Sequence, residues 1–97
     1  MQLLLNNKNE EVRLTDERLL HIEECHPEMI GQLEKCKETL RNPEEIRISK
    51  SDSKTELFYR FYQKTPVTSK YLCVVTKNHS NDRFIITAYF TDKIKSK

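Results

Sequence analysis

Residues 70–90, "KYLCVVTK NHSND RFIITAYF", decide the fold. A β-strand turns successive side chains to opposite faces. In 70–77 apolar residues stand on both faces: Leu72 and Val74 on one, Tyr71, Cys73 and Val75 on the other. Residues 83–90 are apolar on both sides in the same way, and strands of that kind sit in the middle of a sheet. "NHSND" between them is a turn signal. The stretch therefore predicts two central strands joined by a tight connection.

Working backwards, "ELFYRFY" (56–62) is an aromatic-rich strand ahead of the loop "QKTPVTS", and "EIRIS" (45–49) alternates, with Ile46 and Ile48 opposite Arg47 and Ser49. Ahead of these lie two helices. Thr15 is an N-cap residue followed by Asp16 and Glu17, which suit a first turn, so a helix runs from about Asp16 to Cys25 and stops before Pro27. Pro27 also suits the first position of a second helix reaching about Arg41, with Met29, Leu33, Cys36 and Leu40 on one face. The single glycine, Gly31, would lie inside that helix as a close-packing position. Asn42 and Pro43 end it. At the start, "QLLLN" and "VRL" flank a polar turn and read as a strand or hairpin. The expected architecture is α+β: an N-terminal hairpin or strand and two helices on one face of a twisted antiparallel sheet of about four strands. The other face is left as a shallow groove.

Ninety-seven residues make one domain. With 33% charged and 36% hydrophobic residues the chain suits a folded protein with a well-solvated surface. A net charge of +2 permits a nucleic-acid partner without requiring one, and the positive charge accumulates from Lys70 to Lys97, with a basic tail over 91–97. Three cysteines without a CxxC pair predict reduced thiols, with Cys36 and Cys73 in apolar patterns. A reducing compartment follows, and the cytoplasm is the default. "MQLLLNNKNEE" is too short for a signal peptide or a membrane span.

Two of the three histidines, His21 and His26, fall in "LLHIEECHPEM" (19–29), at the junction of the helices. At the start of a helix His26 would be kept neutral by the helix dipole, the form a general base needs. The bland alternative is a histidine that caps or packs the junction. A spacing of five between the two histidines is not the four that places metal ligands on one helix face, and no second ligand cluster follows, so no metal or other cofactor is expected. Arg60 stands among four aromatics in "FYRFY" and suits phosphate and base contacts; equally, it could lie over a helix. Thr87 and Tyr89 share a face of the last strand, opposite an apolar row of Phe84, Ile86, Ala88 and Phe90. They could bind a phosphate or pair across strands.

"HIEECHPEM", "LRNPEEIRIS", "FYR", "KYLCVVTK" and "RFIITAYFTDKIK", in that order, resemble the barnase/EndoU/colicin/RelE-like ribonucleases, in particular their compact phage-encoded branch. The resemblance spans about residues 14–95. It implies a RelE/barnase-like fold and metal-independent RNA cleavage, in which the ribose 2′-OH attacks the adjacent phosphate to give a 2′,3′-cyclic phosphate. Under that resemblance His26 is the base. His21 is the acid or orients His26, and Arg60 stabilises the phosphate charge. Thr87 positions a phosphate oxygen, and Tyr89 holds the nucleotide. Ser49, Tyr59 and Lys77 are further RNA contacts. The implied partners are RNA, such as a tRNA or mRNA, and an antitoxin or immunity protein, with no membrane. The alternative is a binding module of the same fold, for RNA or protein, without catalysis. Convergence of His26, Arg60 and Thr87 in one groove would favour the enzyme; His26 buried against the second helix, away from Arg60, would favour the binder.

Overall fold

In the computed structural model, residues 1–68 and 70–94 are described. In chain order they form β1 (Gln2–Leu5), β2 (Glu11–Leu14), α1 (Asp16–Cys25), a 3₁₀ turn (Pro27–Met29), α2 (Leu33–Arg41), β3 (Glu45–Ile48), β4 (Thr55–Tyr62), β5 (Lys70–His79) and β6 (Asp82–Thr91). The architecture is α+β, with two helices on a single sheet. Among the described residues that sheet has six strands, in the order β1-β2-β6-β5-β4-β3. β5 and β6 are the central pair. No helix among the described residues is long and apolar enough to cross a membrane.

Two expectations about the sheet need correction: about four strands, and antiparallel throughout. The meander β3–β6 is antiparallel, but the N-terminal hairpin joins it, and β2 runs parallel to β6 through Val12 and Arg13 beside Arg83 and Phe84. The join is apolar. Leu4, Val12 and Leu14 are at most 3% exposed, in one cluster with Ile85 and Ala88. A parallel pair needs a long crossover, and here the crossover contains both helices and three strands.

The second helix is also shorter than expected. Pro27–Met29 is one 3₁₀ turn, Ile30 is extended, and Gly31 has φ +79°. That left-handed conformation is natural for glycine, and a Cβ placed there would meet nothing within 4 Å. Gly31 is therefore a chain reversal between two short segments, not a close-packing position. α1 starts as expected, with the Thr15 hydroxyl accepting from the Arg18 amide at 3.1 Å. At the C-terminus, residue 91 belongs to β6, and Lys95–Lys97 of the expected basic tail lie outside the described residues.

The helices cover one face of the sheet. Ile22, Met29, Cys36 and Leu40 pack there on Phe58, Leu72, Val74, Ile85 and Ala88. The apolar row of the last strand is broken by a β-bulge opposite Val75 and Thr76. An extra residue in one strand shifts its phase. Ile85 is thereby 2% exposed in the core beside Ala88, while Phe84 turns to the other face, under the Arg13 guanidinium.

Candidate functional site

The face turned away from the helices is set by register. β4 gives Leu57, Tyr59 and Phe61; β5 gives Tyr71, Cys73, Val75 and Lys77; β6 gives Phe84, Thr87 and Tyr89. Its centre is closed. Leu57, Tyr59 and Cys73 are 8%, 1% and 0% exposed, beneath Tyr71, Val75, Tyr89 and Ile94. Above that floor stand aromatic rings, Phe61 exposed and Tyr71, Phe84 and Tyr89 partly buried. Phe61 is 40% exposed and meets Tyr71 edge to face at 5.2 Å. The rim is charged and internally paired: Arg13 with Asp82 at 2.7 Å, Arg47 with Glu45 at 3.1 Å, and Lys77 with Asp52 at 3.0 Å.

His26 comes to the border of this face. β2 pairs with β6 only at Arg83 and Phe84, so beyond them β6 lacks that strand neighbour. The chain between α1 and α2 passes along this stretch. There the His26 ring lies 5.7 Å from the Tyr89 ring, tilted by 32°. Its Nδ1 is 3.7 Å from the Glu28 carboxylate. A histidine with a carboxylate on one nitrogen is the arrangement that orients a general base. His26 closes α1 and precedes a turn of three residues, so the helix dipole expected to act on it is absent. Burial holds the Tyr89 hydroxyl above the usual phenol range, and a hydrogen bond with the Cys73 thiol adds to the rise.

Arg60 lies on the other side of the sheet. It shares the covered face with Phe58 and Tyr62, donates from Nη1 to the Asn42 carbonyl at 2.8 Å, and has Nε 3.7 Å from Glu38. The last carbonyls of a helix need outside donors, and Arg60 supplies one at the end of α2. Tyr62 adds a second tie, donating to the Glu38 carboxylate at 2.7 Å; its own hydroxyl is pushed up to about 12, mainly by burial. Thr87 pairs with Val75 on the open face, so Arg60 and Thr87 point in opposite directions from the sheet.

The other sequence candidates divide similarly. Tyr59 belongs to the closed floor. Lys77 is on the rim. Ser49 is in the turn after β3, its hydroxyl 3.2 Å from that of Ser51. His21 is exposed on α1, with Nε2 3.6 Å from Cys25 Sγ. The structure thus brings His26 to Tyr89 and Thr87 to the same face, and leaves Arg60 and His21 elsewhere. Phe61, Tyr71 and Phe84 were not singled out as contacts. Their alternation in register with Tyr89 was the available signal, hidden for Phe84 by the bulge.

No protein-family model, no curated protein and no solved structure matches the chain.

Proposed function

We propose that the chain is a single-stranded RNA-binding module that uses the open face of its sheet. The observation that carries this reading is the set of rings projecting from adjacent strands on the side without helices, Phe61 exposed and Tyr71, Phe84 and Tyr89 partly buried. Bases stack on such rings regardless of sequence. Along β5, Tyr71 and Lys77 are separated by roughly 20 Å at the usual strand rise, room for a few nucleotides. β5 and β6 carry Lys70, Lys77 and Arg83 against Asp82, so the strands under the platform bring net positive charge. The rim pairs of Arg13, Arg47 and Lys77 are surface pairs, worth little to stability. Phosphate oxygens can replace those carboxylates at small cost.

The test is anisotropy of a labelled mixed-sequence RNA oligonucleotide at several salt concentrations. Phe61→Ala and Tyr71→Ala should each weaken binding by roughly 5- to 150-fold, the equivalent of about 1–3 kcal/mol per stacked base. Arg47→Ala should flatten the salt dependence. Absence of binding at low salt, or binding indifferent to both ring variants, rejects the reading, and binding of a folded protein by the same face would replace it.

A second reading is favoured by His26 with Glu28 beside Tyr89: a RelE/barnase-like endoribonuclease acting through the 2′-OH, with an antitoxin or immunity partner. Arg60 would contribute to it only through α2. Single-turnover assays on matched RNA, DNA and 2′-O-methyl oligonucleotides separate the two readings. A 2′,3′-cyclic phosphate product that is lost in His26→Ala makes the module an enzyme; binding without cleavage leaves it a binder.

A further inference from the structure

His21 and Cys25 stand four residues apart on α1, which places them one above the other on the same helix face. Both are exposed, and Cys25 Sγ lies 3.6 Å from His21 Nε2. A thiolate at about 2.3 Å and an imidazole nitrogen at about 2.0–2.1 Å from one tetrahedral zinc ion are themselves about 3.6 Å apart. Two corners of a tetrahedral site are therefore already at the required separation. The other two cysteines are buried, and burial pushes the Cys36 thiol up to about 12, which keeps it from acting as a thiolate ligand.

Two ligands do not hold zinc firmly, and among the described residues no three of His, Cys, Asp and Glu gather for a metal. The missing corners have to come from outside the chain. At about 100° per residue, Leu20, Glu24, Glu17, His21 and Cys25 follow one another around α1, and all five are exposed. Leu20, 57% exposed, closes that strip on the side away from the pair, with Glu24 and Glu17 between them. A second copy laid across it would bring an identical histidine and cysteine, which is what a two-fold axis through the ion requires. Two thiolates and two neutral imidazoles complete a Cys₂His₂ shell of zero net charge.

We propose that His21 and Cys25 form half of a tetrahedral zinc site that a second copy of this chain completes, so that one ion joins two chains. Each Cys25 thiol gives up its proton on coordination, so two protons leave per ion bound.

The probe is cobalt(II), added to the full chain without oxygen and with a phosphine reductant. Visible absorption reports tetrahedral cobalt–thiolate geometry, and sedimentation reports mass. One ion per two chains is expected, with doubled mass, reversal by EDTA, and displacement of cobalt by zinc. Cys25→Ser and His21→Ala should each abolish the spectrum and the mass change. His26→Ala, next to the pair but outside it, should keep both. One ion per chain without a change in mass, a dimer in Cys25→Ser, or the absence of a tetrahedral spectrum overturns the proposal. So does a dimer found only without reductant and indifferent to EDTA, which would be a Cys25 disulfide.

Discussion

The face of the sheet under the helices and the face turned away from them come from the same strands, one residue out of phase. On the covered side Phe58, Leu72, Val74 and Ala88 are at most 1% exposed and meet the apolar stripes of two helices. Its polar groups at the border, Arg60 and Tyr62, are consumed in tying down the end of α2. On the open side no helix among the described residues covers the rings, and the ionic groups are paired along the rim. The first arrangement gives stability. The second leaves large flat side chains on a rigid support, where a ligand gains contact without ordering the protein. The difference decides how Arg60 is read, since its type suits a phosphate and its face gives it to a helix.

The sharpest way to break this comparison is to put the same charge on adjacent residues. Val74→Lys buries an ammonium where exposure is 0%, without a partner. The expected result is loss of cooperative unfolding, because such a charge costs several kcal/mol in a domain whose total stability is on the order of 5–15 kcal/mol. Val75→Lys lies on the open face, half-buried, and its ammonium can reach water along its stem. It should fold with a modestly lowered urea midpoint. Equal damage from both would mean that the open face is covered.

Truncation should give the next largest difference. Leu72→Ala, on a fully buried side chain, should lower unfolding free energy by about 2–5 kcal/mol. Phe61→Ala, 40% exposed, should lower it by less than about 1 kcal/mol while weakening RNA binding. Urea melts alongside anisotropy read both quantities. A Phe61→Ala protein that loses stability and keeps RNA would invert the roles given to the two faces.

How far the sequence makes these faces legible depends on the range of the interaction concerned. Residues 70–90 read correctly as the central pair because apolar side chains on both faces are a local pattern. Thr15 read correctly as a cap for the same reason. The N-terminal hairpin is legible as well, but its joining to the sheet is not, because β2 meets β6 some seventy residues later in a parallel pairing that leaves no local trace. Gly31 lay within an apolar spacing that suits a helix, and only its positive φ shows the chain reversing there. The bulge moved Phe84 and Ile85 to opposite sides from those given by strict alternation. For the candidate site, alternation did group Arg60 with Phe58 and Tyr62. Which of two apolar faces the helices would take is a packing outcome, so the grouping could not say that this was the covered one. The His21–Cys25 pair obeys the four-residue rule and is legible in the sequence, one helical turn apart on α1.

The smallest expected effect belongs to the rim of the open face and is a pH effect. Asp52 is held at about 2, below its ordinary 3.8, chiefly by the Lys54 amide, with the Lys77 ammonium and the Thr55 hydroxyl adding to it. The distances are 3.0 Å from the Lys54 amide, 3.0 Å from Lys77 Nζ and 3.1 Å from Thr55 Oγ1. A carboxyl depressed in the folded state stabilises it when ionised in both states, above the unfolded value. That contribution declines as pH falls from about 4 toward about 2 and is gone once the folded carboxyl is protonated. Asp52→Asn keeps an acceptor for the amide and removes the charge. The difference in urea midpoint between wild type and variant should therefore be constant at neutral pH, shrink across that acid window, and shrink also with added salt, since the pair with Lys77 is at the surface. A difference that grows as the pH falls would mean that Asp52 is strained in its turn, and that the rim charges of the open face are not the weakly held pairs that RNA phosphates could exchange.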